Sequence, residues 1–180
     1  MKKLSLEELG RHSVSEHQNK PKFPVKIVLD NIRSGINVGS AFRTADALLI
    51  DELILVGISP QPPHREILKS AIGAEESVPW RYFPTPEACL DYLEETGYAL
   101  WVVEQTNAST SLLDFRATSQ YPLALVFGNE VHGVSEAFLP HANGAIEIPQ
   151  YGTKHSFNVS IAIGIVLWEI VRQIQAEPAG

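Results

Sequence analysis

Residues 123–138 read LALVFGNEVHGVSEAF, and this stretch decides the fold class. Five apolar residues predict a buried strand over Leu123–Phe127, which passes directly into a loop with Gly128 and Gly133 at its two ends. Glycine lets backbone N–H and C=O groups approach a ligand closely, because no side chain stands in the way. The structural alternative is a tight turn from strand to helix. Glu130 beside the strand end is harder to explain that way, since a carboxylate in an apolar region needs a partner.

The same order of strand, loop and helix recurs along the chain. Apolar β-branched runs predict further strands, and segments with helical spacing lie between them. This alternation predicts an α/β fold, a parallel sheet with helices on both faces, whose ligands bind at the carboxyl ends of the strands. The strands are predicted at Val25–Asp30, Leu53–Gly57, Ala99–Val103, Leu123–Phe127 and Ala145–Ile148, and the helices at Val38–Leu49, Arg65–Ile72, Pro86–Glu95, Val134–Leu139 and Asn158 to about Gln175.

Length and composition predict one globular domain. The 180 residues are 44% hydrophobic and 19% charged, which is ordinary for a packed core. We expect a polar N-terminal extension over residues 1–24, with a short amphipathic helix around Leu4–Leu9, and a single domain over residues 25–180. With no apolar run of roughly 20 residues and no secretory signal, we expect a cytoplasmic protein without a membrane partner. A lone Cys89 and the lack of zinc-ligand spacing predict no disulfide and no metal.

The net charge of −7 argues against a nucleic-acid partner, because the phosphate backbone favours basic proteins. The distribution of the charge weakens this objection. Residues 1–43 carry eight Lys and Arg against four Asp and Glu, whereas residues 44–180 carry six against seventeen. Basic charge is therefore concentrated towards the N-terminal end.

Residues 27–46, IVLDNIRSGINVGSAFRTAD, lead from a strand into a helix through Gly35 and Gly39. The two glycines resemble a phosphate-binding loop only superficially, since neither G-x-G-x-x-G nor a following Lys-Ser/Thr is present. Asn37 lies near the predicted helix start, where capping of free backbone N–H groups is its structural interpretation. Arg43 follows six residues later on an otherwise small and apolar helix, and is either solvated or aimed at a ligand.

Residues 146–173, IEIPQYGTKHSFNVSIAIGIVLWEIVRQ, join a strand to a long apolar helix. Ser156 can cap this helix and Asn158 falls in its first turn, where unpaired N–H groups suit an anionic or polar ligand. The apolar stripe of the helix is wider than a surface helix needs, which a dimer interface or burial inside the monomer would explain. The stripe consists of Ile161, Ala162, Ile165, Trp168 and Val171.

Together the three segments resemble the SpoU-type RNA 2′-O-methyltransferases of the SPOUT superfamily. The first motif of that family, Asn and Gly followed by Arg, is present in residues 37–43 as NVGSAFR, and the second, Gly-x-Glu-x-x-Gly, in residues 128–133 as GNEVHG. The third, Ile-Pro-x-x-Gly ending in Ser-Leu-Asn-Val-Ser, matches residues 148–160. Phe157 replaces the usual Leu and Gln150 a usual Met, so the affinity for the cofactor is expected to differ while the reaction class is not.

The resemblance covers about residues 25–175 and implies the SPOUT fold, a parallel α/β sheet with a deep C-terminal trefoil knot. It also implies a homodimer in which the partner chain completes each site, and S-adenosylmethionine as the cofactor. The reaction it implies is methylation of an RNA ribose 2′-hydroxyl. The family pattern assigns cofactor binding to Thr106, Phe127, Gly128, Ile148 and Phe157.

The resemblance gives Arg43 the task of activating the ribose hydroxyl. An arginine has a pKa above about 12 and is a poor base. Our hypothesis is that Arg43 binds the adjacent RNA phosphate and stabilises the developing alkoxide, while the proton leaves through that phosphate or a water. The implied catalytic set is Asn37, Arg43, Glu130, Ser156 and Asn158.

Two other function classes stay open at this point. One is a non-catalytic, dimeric RNA-binding module with the same fold, and the other is a small-molecule nucleotide-binding enzyme, which only the acidic net charge favours. As substrate we expect tRNA rather than rRNA, because only the first twenty-odd residues are available as an accessory RNA-binding region. Those residues contain Lys2, Lys3, Arg11, Lys20 and Lys22.

Overall fold

The structure, a computed structural model, describes residues 1–5, 8, 10 and 13–176. Strands and helices alternate through most of this part of the chain. In order they are α1 (Val14–Asn19), β1 (Phe23–Asp30), α2 (Gly35–Ala47), β2 (Ile50–Val56), α3 (Arg65–Ala71), α4 (Ala74–Ser77), β3 (Trp80–Phe83), α5 (Pro86–Thr96), β4 (Ala99–Val103), β5 (Thr110–Ser111), β6 (Leu123–Phe127), β7 (Gly144–Glu147) and α6 (Val159–Ala176).

The strands form one parallel sheet in the order β3-β2-β1-β6-β4-β7-β5. The predicted parallel sheet is confirmed, and all five predicted strands are present within a few residues of their expected bounds. β6 lies at the centre, where Leu123 pairs with Val25 of β1 on one side and with Ala99 of β4 on the other. All five residues of β6 are buried, which explains its unbroken apolar sequence.

Helices cover both faces of the sheet, as predicted. On one face α2, α3 and α6 enclose a core that includes Phe42, Ile67 and Ile163, all fully buried. On the other face Cys89 and Leu93 of α5 pack against alternate residues of the same central strands.

The glycines of α2 mark the place where α2 and α3 approach each other closely. A Cβ atom at Gly39 would lie 2.6 Å from the carbonyl oxygen of Ile67 and closer still to the Ser70 hydroxyl, and one at Gly35 would lie 2.8 Å from His64 Nδ1. Only glycine leaves room for this packing distance. Helix packing, rather than phosphate binding, therefore accounts for both residues.

The helix predicted over Val134–Leu139 is wrong. This segment forms turns that end in a short 3₁₀ helix, Leu139–His141. Its amide bonds are of the i to i+3 kind, from Phe138 N to Ser135 O and from Leu139 N to Glu136 O. Pro140 lies inside this 3₁₀ helix and lacks an N–H group, so it could not donate the α-helical hydrogen bond to the Glu136 carbonyl.

The N-terminal region includes one docked helix. α1 begins with a capping box in which Ser13 and Glu16 each accept a hydrogen bond from the other's backbone N–H. His17 is 7% exposed, its Nε2 lies 3.0 Å from the Asp46 carbonyl oxygen, and Lys22 Nζ donates to the His17 carbonyl at 2.6 Å. The helix predicted around Leu4–Leu9 includes residues outside the described part of the chain. The division at residue 24 remains a prediction.

One ion pair lies inside the core, where Lys26 of β1 is the register partner of Glu52 of β2. Lys26 Nζ donates to Glu52 Oε2 at 2.9 Å and to the Tyr92 hydroxyl at 2.7 Å, and both charged residues are about 5% exposed. Burial alone would lower the pKa of Lys26, but its bonds to Tyr92 and Glu52 outweigh this and raise the pKa. Burial would likewise raise the pKa of Glu52, yet bonds from Arg81 and Lys26 hold it below its ordinary value.

Within the described residues, α6 is the one helix long and apolar enough to suit a membrane span by length and composition alone. Its packing accounts for much of this apolarity, since Ile163, Val166 and Ile170 are fully buried against the sheet and α2. Two members of the predicted stripe remain outside the core, Ile161 at 54% and Trp168 at 62% exposure. The stripe therefore divides between the monomer core and an exposed face.

Candidate functional site

A cavity of about 440 Å³ opens at the carboxyl ends of β4, β6 and β7. Parallel strands that are neighbours in a sheet end at the same edge, so the loops that follow them enclose a common space. Its walls come from residues 103–105, 127–131, 146–148 and 155–159, with further contributions from Gly133, Gln150 and Ala162.

Four of the five residues predicted to bind the cofactor line this cavity, namely Phe127, Gly128, Ile148 and Phe157. Thr106 is not among the lining residues. Its hydroxyl oxygen instead accepts a hydrogen bond from the Ala108 N–H at 3.2 Å, which closes a turn. Its neighbours Glu104 and Gln105 face the cavity in its place, and sequence reasoning did not single them out.

The loop over residues 128–133 is a closed, rigid turn. Asn129 and Gly133 exchange two backbone hydrogen bonds of 2.9 Å, and Gly133 has a positive φ of 71°. The buried Asn129 side chain fixes the loop, because its Oδ1 accepts from the N–H of Val131 at 2.9 Å and its Nδ2 donates to the Asn31 carbonyl at 2.7 Å. A Cβ atom on Gly128 would collide with the backbone of Gly133. The glycines of the second motif are therefore required by the turn itself.

Two carboxylates anchor this turn from two sides, one fully buried and one half-buried. Asp30, at the end of β1, is fully buried and accepts from the Ser135 N–H at 2.6 Å and from Asn31 Nδ2 at 2.8 Å. Glu104, after β4, accepts from the Val134 N–H at 3.1 Å. Sequence reasoning missed these supports, although a carboxylate at the end of a buried strand is a signal that could have revealed them.

Three of the five predicted catalytic residues meet at the rim of the cavity. Asn37 Nδ2 donates to Glu130 Oε1 at 3.0 Å, and Asn158 Nδ2 lies at donor distance, 3.5 Å, from Asn37 Oδ1. Asn37 does not cap α2, since Ser34 accepts the bond from the Asn37 N–H at 3.3 Å and leaves the amide side chain free for Glu130. Glu130 is exposed, so the hydrogen bond from Asn37 orients its carboxylate and is not needed to offset a cost of burial.

The start of α6 faces the same cavity. Asn158 directly precedes this helix, and its Oδ1 accepts from the Ser160 N–H at 2.9 Å and from the Ser160 hydroxyl at 2.6 Å. Asn158, rather than Ser156, therefore acts as the N-cap. Ser156 lines the cavity beside it, so four of the five predicted catalytic residues lie at this site.

Arg43 lies elsewhere in the protomer. It is exposed and borders a separate depression of about 850 Å³, together with His17, Asp46 and Ile72. Within the described part of the chain its guanidinium has neither a hydrogen bond nor an ion pair. Six residues separate it from Asn37, which turns the two side chains to different sides of α2.

The chain matches the SpoU rRNA Methylase family over residues 24–168. It is 32% identical over 166 residues to the 23S rRNA (guanosine-2′-O-)-methyltransferase RlmB of Haemophilus influenzae, covering 92% of this chain and 67% of the relative. It is 29% identical over 161 residues to a putative TrmH family tRNA/rRNA methyltransferase of Staphylococcus haemolyticus, covering 89% and 63%. The chain thus spans between 60% and 67% of the length of the curated relatives it matches.

Solved structures share the fold. The SpoU methyltransferase AviRb from Streptomyces viridochromogenes, in complex with the cofactor AdoMet, aligns with a TM-score of 0.80 and 27% identity over 90% of this chain and 65% of that one. The A. aeolicus TrmH/SpoU tRNA modifying enzyme aligns with a TM-score of 0.79 and 26% identity over 90% of this chain and 81% of that one. Because the family match runs through most of the chain and contains all three motifs, this chain belongs to the SpoU rRNA methylase family.

Proposed function

We propose that the chain is an S-adenosylmethionine-dependent RNA 2′-O-ribose methyltransferase. The observation that carries the proposal is the contact of Asn37 with Glu130 and Asn158 at the rim of a cavity built from the second and third motifs. Residues far apart in sequence are brought together there as a polar set beside a cleft with a mixed polar and apolar lining. A polar set of this kind next to a concave pocket suits a substrate bound beside a cofactor. The names of the relatives support the same reaction.

The cavity suits S-adenosylmethionine. About 440 Å³ lies within the range of roughly 300–1,000 Å³ that small-molecule sites occupy. Phe127, Ile148 and Phe157 give it apolar walls for a nucleoside, while Glu104 and Glu147 contribute carboxylates that complement a positive charge. When bound, the cofactor supplies a methyl group on a positively charged sulfur. The AdoMet complex of AviRb supports this assignment.

The polar residues at the rim would hold the ribose. Ser156 and Asn158 stand at the α6 N-terminus, where hydrogen-bond donors and acceptors can orient a sugar hydroxyl towards the cavity. Asn37 fixes the Glu130 carboxylate through their 3.0 Å bond. Arg43 would bind the adjacent phosphate and stabilise the alkoxide as it forms, with the proton leaving to that phosphate or to water.

A homodimer would bring Arg43 to the cavity. Within one protomer Arg43 borders the other depression, so Arg43 can act at this cavity only if it comes from a second copy. The exposed face of α6, with Ile161 and Trp168, provides an unpaired apolar surface for that copy. Ile36 of α2, 51% exposed, extends the surface, because α2 packs against α6.

A trefoil knot is part of the proposal. Residues 128–131 and 155–158 line the same cavity, so the loop after β6 and the connection from β7 to α6 face each other across it. We place the second of these segments beneath the first. The alignment with AviRb over 90% of this chain supports the placement.

The RNA class has two candidates. The RlmB relatives carry 23S rRNA in their names, which favours rRNA, whereas the A. aeolicus neighbour is named a tRNA modifying enzyme. Our expectation of tRNA stays a prediction.

Transfer of labelled methyl from S-adenosylmethionine to tRNA and to rRNA, in separate reactions, tests the reaction and the substrate together. We expect alkali-resistant label in one pool with the wild type, none with Arg43→Ala, and wild-type levels with the control Arg116→Ala. Label recovered in mononucleotides after alkaline hydrolysis would contradict 2′-O-methylation, and no label in either pool despite cofactor binding would favour a non-catalytic RNA-binding module.

Mixed dimers test the shared site. Arg43→Ala and Asn158→Ala are each expected to be inactive, but a mixed dimer of the two retains one site with an intact cavity and an intact partner arginine. Co-expression should restore about a quarter of wild-type activity, since half of randomly formed dimers are mixed and each has one complete site. No restoration would show that each site uses its own Arg43.

A further inference from the structure

Four exposed cations without partners lie on or next to the two helices α2 and α3, which cover one side of the sheet. Among the residues that the structure describes, Arg33, Arg43, Arg65 and Lys69 are exposed and make no side-chain hydrogen bond or ion pair. Arg43 lies on α2, Arg65 and Lys69 lie on α3, and Arg33 lies in the loop before α2. Lys3 and Lys154 are likewise exposed without such a partner, but they lie in the N-terminal segment and in the loop before α6, whereas Lys26 and Arg81 are paired with Glu52.

The opposite side of the sheet is acidic. Helix α5 packs on that side and presents four exposed carboxylates and no cation. A chain with a net charge of −7 is thus polarised across its sheet, and a polyanion approaching it would be repelled by one side and attracted to the other. The four carboxylates belong to Glu87, Asp91, Glu94 and Glu95.

The outer face of α3 alternates cations with exposed aliphatic residues. Arg65, Leu68, Lys69 and Ile72 follow at helical spacing, so their side chains share one face. Leu68 is 46% and Ile72 69% exposed, whereas Ile67 on the inner face is fully buried. The cations of this face fit the phosphates of a nucleic-acid strand, which receive much of the hydrogen bonding in protein–nucleic acid complexes.

This face is continuous with the candidate site. The α3 start lies against the α2 start, because a Cβ at Gly35 would meet both His64 and Glu66, and Asn37 follows two residues after Gly35. At the other end, Arg43 and Ile72 border the same depression. The carboxylates of Glu75 and Glu76 on α4 limit the surface beyond that point.

We propose that this α2–α3 basic surface (Arg33, Arg43, Arg65, Leu68, Lys69 and Ile72) binds the phosphate backbone of the RNA strand that flanks the methylated nucleotide. The inference rests on the proposed function and specifies the side from which the RNA approaches the protein. The RNA lies across α2 and α3, with the acidic α5 on the far side of the sheet. Arg65 and Lys69 contribute affinity without touching the reacting atoms.

The double variant Arg65→Gln/Lys69→Gln tests the surface with labelled tRNA and rRNA fragments. Loss of two phosphate contacts should weaken RNA binding roughly tenfold and reduce the slope of log K against log salt by about 1.4 to 1.8. We expect a raised KM for RNA, an unchanged kcat at saturating RNA, and unchanged affinity for S-adenosylmethionine.

The matched control is Arg116→Gln/Arg172→Gln, which removes the same charge at the other end of α6 and should change RNA binding less than twofold. An equal loss of RNA affinity in both double variants, or wild-type affinity and salt slope in Arg65→Gln/Lys69→Gln, would refute RNA binding by the α2–α3 basic surface. Neither result would affect the proposed function. A wild-type chain that neither binds nor methylates either RNA would overturn both.

Discussion

Replacing Gly39 by alanine should destabilise the protein, although alanine is the better helix former. In an open helix interior this change would stabilise by about 1 kcal/mol. Here the new Cβ would lie 2.6 Å from the Ile67 carbonyl oxygen and 3.0 Å from the Ala71 nitrogen. Comfortable contacts between such atoms begin near about 3.5 Å, so α3 would have to move by most of an ångström.

The cost of that movement sets the magnitude. Overpacking in a dense core costs about 1–3 kcal/mol, and the upper half of this range applies because the obstructing atoms are backbone, which cannot rotate away. After the propensity gain is subtracted, we expect Gly39→Ala to lose about 1–2 kcal/mol. For a chain of this length that corresponds to a fall in Tm of roughly 2–8 °C.

Urea unfolding followed by tryptophan fluorescence and circular dichroism measures the difference. Ser40→Ala is the matched control, because Ser40 is the next residue of α2 and its hydroxyl bonds only to the Ile36 carbonyl of the same helix. That variant should be within about 0.5 kcal/mol of the wild type, or slightly more stable. If Gly39→Ala were as stable as Ser40→Ala, the close approach of α2 and α3 would be refuted.

The remaining predictions concern buried groups and the rim of the site. Glu52→Gln leaves the charge of Lys26 without its carboxylate partner and should lower the free energy of unfolding by about 3–5 kcal/mol at pH 7. Because folding lowers the pKa of Glu52, this contribution is present above the pKa of Glu52 in the unfolded chain and is lost as the pH falls through its pKa in the folded protein. Urea unfolding at pH 7 and pH 4 should therefore show a smaller difference between variant and wild type at pH 4. Burial raises the pKa of the Cys89 thiol to about 12, so a thiol reagent at pH 8 should label it only as fast as the protein unfolds. Asn37→Ala should lower the rate of methyl transfer and leave the affinity for S-adenosylmethionine unchanged. Activity equal to that of the wild type would disprove a role for the bond from Asn37 to Glu130.

The sheet could be predicted because its central strands are apolar on both faces. Leu123–Phe127 is apolar throughout, and Ile27–Leu29 forms the apolar centre of β1, which is typical of strands buried on both faces. The segments between the strands have helical spacing. The edge strands could not be predicted this way. Trp80–Phe83 is only half-buried, and Thr110–Ser111 has two residues, too few to produce any periodic signal.

Tertiary contacts explain what the sequence could not show near the site. Gly35 and Gly39 resemble a phosphate-binding loop only superficially, and the reason for them is contact with α3, which begins twenty-six residues after Gly39. Nothing in the local sequence distinguishes Asp30 and Asn129 from other polar residues. Their role follows from the loop after β6, which lies over the end of β1 and forms hydrogen bonds with it through these side chains. Such roles depend on long-range contacts that local patterns do not encode.

The placement of Asn37 and Arg43 shows how a motif can be correct while its members lie apart. Six residues of α-helix advance about 9 Å and rotate about 240°, so one protomer cannot direct both side chains into the same small cavity. Asn37 reaches Glu130, whereas Arg43 borders the depression next to Ile72. If both act on one ribose, the spacing of the motif itself requires two copies of α2 at each site. The motif then predicts an assembly as well as a residue set, and the mixed-dimer experiment distinguishes this from an arginine that serves RNA binding alone.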